Sequence, residues 1–223
     1  MEKPRQVAGG GRAVEVPPDR LAGWFDRFSA RHDGILTTEV APRAVRALAG
    51  DGATATATVP FGPLAAPSGT FEGLVIDALL THTLAPRRIA LVLVRVGAHS
   101  IGVASRGRVE LSRTDRHLVQ GRSAAGGWSQ QRFARRRAGQ ARHALQDAAE
   151  DVLEVLVPRL SEVDAVVLGG DRRALDALRE DRRLAPLFAR AEPRVLEVGE
   201  PSRAVLDEAA VRALSVQVTL RDG

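Results

Sequence analysis

Residues 89–94 read Ile89-Ala90-Leu91-Val92-Leu93-Val94. The run is short, unbroken by any polar residue and rich in branched side chains. Such a run is a strand covered on both faces, so it belongs in the middle of a sheet. Working outward, Gly97-Ala98 reads as a turn, and 100–104 and 108–112 read as two further strands of a meander. Further along, Ala165-Val166-Val167-Leu168-Gly169-Gly170 is a second buried strand that leaves through a glycine turn. A short helix over Arg172 to Leu178, a strand over Val195 to Val198 and a last helix over Ser202 to Leu214 complete the pattern, with Ser202 as N-cap. Three strands, a connection, a helix and then a strand–helix–strand alternation predict an α/β domain with a mixed sheet flanked by helices.

The helix between the two halves is expected from about Gln130 to Leu160. Phe133, Ala141, Leu145, Ala148, Val152 and Val155 recur at three- or four-residue steps and form its apolar stripe. Outside that stripe its first half is basic, and its second half carries Asp147, Glu150, Asp151 and Glu154.

Nearer the N-terminus, Met1 to Ala13 with Gly9-Gly10-Gly11 reads as a flexible tail. Pro17-Pro18-Asp19 opens a helix whose apolar face is Leu21, Trp24, Phe25 and Phe28, ending near His32-Asp33-Gly34. Ala53 to Val59 alternates alanine and threonine as a half-exposed strand does, and Pro60 to Gly69 is a loop. Phe71 to Thr83 fits a strand or a short helix equally well. The expected division is a tail over 1–13, an N-terminal helix and small β region over 14–86 packed on the main domain, and the α/β domain over 87–221.

The 223 residues have a formal net charge of +5 and an isoelectric point near 11.0, because Lys3 is the single lysine and arginine supplies the remaining strong base. There is no cysteine, which excludes disulfides and thiolate metal sites. No apolar run reaches membrane-span length and no signal peptide is visible, so a soluble cytoplasmic protein is expected.

The stretch that carries chemistry is Gly126-Gly127-Trp128-Ser129-Gln130-Gln131-Arg132-Phe133-Ala134-Arg135-Arg136-Arg137. From Arg116 to Gln146 there is no Asp or Glu, while Arg122, Arg132, Arg135, Arg136, Arg137 and Arg142 fall inside the window. An ordinary solvated helix interleaves both signs. An uncompensated arginine series suits phosphate contact, and two glycines at a loop tip allow positive φ and close backbone approach. Ser129 is placed to cap the helix, whose N-terminal N–H groups would favour a nearby phosphate.

Residues 88 to 214 resemble the middle domain of archaeal and eukaryotic class I peptide release factors, an RNase H-like α/β domain. There a strand meander leads to a loop bearing Gly-Gly-Gln and a helix that begins Ser-x-x-Arg-Phe-Ala-Arg. Ser129, Arg132, Phe133, Ala134 and Arg135 stand at those helix positions, Gly126-Gly127 at the glycine pair, and Val166 to Asp171 at the later strand end. Within that group the chain resembles the bacterial, chiefly actinobacterial, Vms-like release factor family of peptidyl-tRNA hydrolases, whose eukaryotic relatives free stalled nascent chains in ribosome quality control. In register with the release factors, Trp128 stands in place of the glutamine. Gln130, following Ser129, matches the Gly-Gly-Ser-Gln-like loop of the Vms type, and Gln131 is adjacent.

What the resemblance implies is a catalytic set of Gly126, Gly127, Trp128, Ser129, Gln130 and Gln131. The RNA-binding set would be Arg122, Arg132, Arg135, Arg136, Arg137 and Arg142. The partners would be the peptidyl-transferase centre of the large ribosomal subunit and peptidyl-tRNA, with no membrane, no DNA, no metal and no cofactor. Ester hydrolysis by water needs a positioned water and a stabilised oxyanion, and an amide side chain offers both an acceptor and donors. Either glutamine could supply it. Trp128 could stack on an RNA base or anchor the loop to its own domain. The sequence shows no motif of an independent hydrolase or phosphate loop. His32, His82, His99, His117 and His143 are scattered, and Asp77, Glu110 and Asp115 have no metal-site spacing. Two other functions remain open: a non-catalytic ribosome- or tRNA-binding factor, and a nuclease acting at the tRNA acceptor end.

Overall fold

The computed structural model describes residues 5–6, 10–116 and 128–223; for Arg5 and residues 128–138 only the backbone is described. The chain forms two compact units, residues 1–86 with 214–223, and residues 87–213.

In the first unit, β1 (Arg5–Gln6) and β2 (Arg12–Val16) precede α1 (Leu21–Arg31), and β3 (Ile35–Ala41), β4 (Ala44–Ala49), β5 (Thr54–Thr58), β6 (Gly69–Glu72) and α2 (Asp77–Leu84) follow. The last strand of the chain, β12 (Val216–Arg221), enters between β2 and β5 and completes a seven-stranded antiparallel sheet, β1-β2-β12-β5-β4-β3-β6. Two features differ from the sequence reading. Arg12 and Ala13, expected in the tail, lie in β2, where Ala13 and Val16 are buried. Residues 216–221, expected in the α/β domain, pair here instead. The stretch 71–83 resolves into both alternatives, the end of β6 and then α2.

The core of this unit sets large against small. Leu21, Phe25 and Phe28 fall on one face of α1 and are buried with Ala47, Ala49, Ala55 and Ala57 of the sheet. Alanine at those positions leaves room for the aromatic rings, which is how interdigitating cores reach native density. α1 stops where Asp33 and Gly34 take φ values of 58° and 81°, and Gly34 N–H returns to the Ser29 carbonyl.

In the second unit, β7 (Arg88–Arg95), β8 (Ala98–Ser105) and β9 (Arg108–Arg116) form the expected antiparallel meander. Next come α3 (Trp128–Val155), a short 3-10 helix over Val157–Glu162, β10 (Ala165–Gly170), α4 (Arg172–Arg179), α5 (Ala185–Phe188), β11 (Ala191–Leu196) and α6 (Arg203–Arg212). The five-stranded sheet is ordered β11-β10-β7-β8-β9, with β10 parallel to both neighbours. β7 therefore lies at its centre, as its unbroken apolar run predicts.

α3 and α4 bury Ala148, Val152, Val155, Leu175 and Leu178 with Val92, Val94, Val166 and Leu168. α6 packs against β7, β8 and β9. Its Leu206 lies against Gly102, where an added Cβ would come within 3.0 Å of Leu206 Cδ2. Helices on both faces explain why the inner strands β7 and β10 are apolar on both sides. Ser202 caps α6 as read from the sequence, its hydroxyl accepting from Val205 N–H at 3.2 Å.

Candidate functional site

α3 is 28 residues long and begins at Trp128, two residues earlier than the periodicity suggests. Ser129 is accordingly inside the first turn and is not its N-cap, a correction to the sequence reading. Trp128, Ser129, Gln130 and Gln131 open the helix, and Arg132, Arg135, Arg136 and Arg137 follow on it. Gly126, Gly127 and Arg122 lie outside the described residues, as does His117. Further along the helix, Arg142 and His143 are exposed, while Ala144 and Ala148 are buried. Of the expected apolar stripe, Ala148, Val152 and Val155 are buried, Leu145 is half-buried against the core and Ala141 is half-buried. The side chain of Phe133 lies outside what is described. The helix gives way to the 3-10 turn after Val155, short of Leu160.

The second half of α3 is fixed to the sheet by a polar cluster that sequence reasoning missed. His99, on β8, is only 1% exposed, and its Nε2 lies 2.8 Å from Oδ2 of Asp151 on α3. Arg113, on β9, donates to Asp151 Oδ1 at 2.9 Å and forks onto Glu154 at 2.6 and 3.1 Å. Burial pushes the Asp151 carboxyl up, but the hydrogen bonds and charges of His99 and Arg113 outweigh it and hold the group below the usual aspartate value. Glu154 is lowered by Arg113, and Arg113 is raised in turn by Glu154 and then Asp151. The sequence signal was slight: an arginine on one strand, and two acids spaced i, i+3 on the helix, where both can face the same partner.

A second tie holds the segment after α3. Arg88 at the start of β7 donates to Glu162 at 2.6 Å and to Glu110 of β9 at 3.0 Å. Glu110 is thus engaged with an arginine, and Asp115 accepts from Arg116 N–H at 2.7 Å. Asp77 begins α2 in the first unit. Among the described residues no group of three or more His, Asp or Glu side chains is placed to hold a metal ion. No described helix is long and apolar enough to cross a membrane.

A family profile described as Actinobacteria/chloroflexi VLRF1 release factor matches residues 87–219, well over half of the chain. The chain belongs to this release-factor family. The match takes in the second unit, from the start of β7 through α3 to α6, and runs into β12. Membership ties the chain to translation.

Solved structures similar to it include one titled an archaeal protein, at 15% identity and a TM-score of 0.41, covering 75% of this chain and 51% of that one. Another is the archaeal translation termination factor aRF1, at 15% identity and a TM-score of 0.45, covering 90% and 63%. A third is Pelota from Archaeoglobus fulgidus, at 13% identity and a TM-score of 0.30, covering 96% and 66%. The chain thus spans between about half and two thirds of the length of these structures. No curated protein sequence matches it.

Proposed function

We propose that this VLRF1-family chain is a cytoplasmic, ribosome-directed peptidyl-tRNA hydrolase that releases nascent chains from stalled ribosomal complexes. One observation carries the reading. Within a release-factor family match, the acid-free window 116–146 includes Gly126-Gly127 and continues into the long helix α3. Loop and helix start together supply what the reaction needs. Arg122, Arg132, Arg135, Arg136, Arg137 and Arg142 would neutralise ribosomal and transfer RNA phosphates. Gly126 and Gly127 would let the backbone approach the ester closely.

In the reaction, water attacks the ester carbonyl of peptidyl-tRNA. The bond from that carbon to the ribose oxygen breaks, and the proton passes to the departing 3′ oxygen. The products are a peptide carboxylate and an intact tRNA. The side-chain amide of Gln130 or Gln131 would accept a hydrogen bond from the attacking water, and backbone N–H groups of the loop would face the developing oxyanion. The peptidyl-transferase centre would contribute the remainder of the site, so no metal or cofactor is needed.

Trp128 favours one competing reading. Indole donates a hydrogen bond but accepts none, so it cannot replace the release-factor glutamine at that position. A chain that kept the scaffold and lost hydrolysis would bind stalled ribosomes or tRNA without turnover. Incubation with stalled ribosome–nascent chain complexes separates the possibilities. Free peptide with full-length tRNA supports release. Retained binding without product supports the binding factor, and shortened tRNA supports cleavage at the acceptor end.

A further inference from the structure

The cluster of His99, Asp151, Arg113 and Glu154 lies on the helix that carries the proposed site, yet it is not part of that site. Both carboxylate oxygens of Asp151 are held, one by a residue of β8 and the other by a residue of β9. Arg113 also reaches Glu154, so it grips α3 across one turn. The apolar contacts of this part of the helix come from Ala148, Ala149, Val152 and Val155, with Leu145 and Leu153 packed beside them. Apolar burial carries no direction of its own, whereas a charged hydrogen-bonded set is penalised when its geometry is lost.

Nor is the cluster an economical way to fill space. Among the described residues, Nδ1 of His99 is buried without a partner, and an unpaired buried ring nitrogen costs stability. Replacing buried charged groups by apolar side chains of similar size is often neutral or stabilising. What the polar set adds is a single defined position for the helix on the sheet.

That position matters at a distance. At a rise of about 1.5 Å per residue, the first turn of α3 lies about 30 Å along the axis from Asp151. A tilt of a few degrees at the cluster would move that turn by more than an ångström, and misplacement of this size can cost about 100-fold in a positioned reaction. We infer that His99, acting through Asp151, is a positioning residue for peptide release, setting where the start of α3 stands relative to the ester. The inference rests on the release reading above.

The test uses the full chain with His99→Leu and His99→Gln. Leucine removes the donor and leaves Asp151 paired with Arg113; glutamine restores an N–H near the position of Nε2. Asp151→Asn serves as a second variant should His99→Leu fail to fold. Single-turnover release at saturating protein should fall at least about 10-fold in His99→Leu, with half-saturation changed less than about 3-fold, and His99→Gln should recover most of the rate. Urea unfolding of His99→Leu should show no matching loss of stability.

In parallel, nitroxide labels at Gly139→Cys and Arg108→Cys report the placement of α3 on the sheet. The chain has no native cysteine to interfere, and the added Cβ at 139 meets nothing within 4 Å. The interlabel distance distribution should shift or broaden in His99→Leu and return in His99→Gln. An unchanged distribution, an unchanged release rate, or no rescue by glutamine overturns the inference. A wild-type protein that releases no peptide at all defeats the release reading instead, and the positioning role falls with it.

Discussion

Gly170 sits directly against the carbonyl oxygen of Val94. The two residues are register partners across the parallel pair β10–β7, and Gly170 has a φ of 105°. An added Cβ would overlap that oxygen, which also accepts from Asp171 N–H at 2.8 Å. The glycine lets β10 end tight against the central strand and turn at once into α4. Gly170→Ala should therefore destabilise the protein by about 2 kcal/mol or more, combining unfavourable φ with a backbone clash. Equilibrium urea unfolding measures this, and a loss under about 0.5 kcal/mol would contradict it.

Gly139 is the opposite case. It lies inside α3, and a Cβ there would meet nothing within 4 Å. Gly139→Ala should raise stability by roughly 0.5–1 kcal/mol through helix propensity alone. A destabilised variant would show that the glycine serves a close approach or a bend.

The Asp151 carboxyl is held below its ordinary value of 3.8, against its own desolvation, by His99 and Arg113. A carboxylate depressed in the folded state contributes stability that is complete above the unfolded value and is lost as pH falls through the folded one. Unfolding free energy should thus decline as pH drops below about 4, and Asp151→Asn should flatten that acid limb while lowering stability near neutrality. Identical pH dependence below 4 in the two proteins would show that Asp151 is not held in this way.

Arg135, Arg136 and Arg142 are proposed to neutralise RNA phosphates. Triple substitution by alanine should weaken binding to ribosomes. It should also reduce the slope of log affinity against log salt by roughly 2–3, since each phosphate contact contributes about 0.7–0.9. Equal binding across a salt titration would reduce the basic helix to a solvated surface.

The sequence disclosed best those elements whose signals are local. β7 is one uninterrupted apolar run because both its faces are covered, and β10 repeats that pattern. Ser202 caps α6 through its own side chain, three residues from its partner. What stayed hidden depends on contacts distant in sequence. β12 pairs with β2 and β5, near the other end of the chain. β3 carries an irregularity between Ile35 and Thr37 that breaks the two-residue alternation, and β4 buries alanines where longer apolar side chains would have marked a strand. The start of α3 was misplaced because Ser129 looks like a cap, although the helix is already under way there. The basic helix was readable as chemistry, whereas its anchor was not: nothing in the sequence near His99 points to Asp151, 52 residues later.

The most direct test of the account is single-turnover peptide release from programmed stalled ribosomes by wild type, Gln130→Ala, Gln131→Ala and Trp128→Gln. A glutamine amide that positions water predicts measurable release by wild type. It predicts loss of release with retained ribosome binding on replacing one glutamine, Gln130 more severely than Gln131, and full-length tRNA as the second product. Undiminished release in both alanine variants would remove the amide from the mechanism. Absence of release by wild type, with or without recovery in Trp128→Gln, would contradict the claim that this chain is itself a peptidyl-tRNA hydrolase.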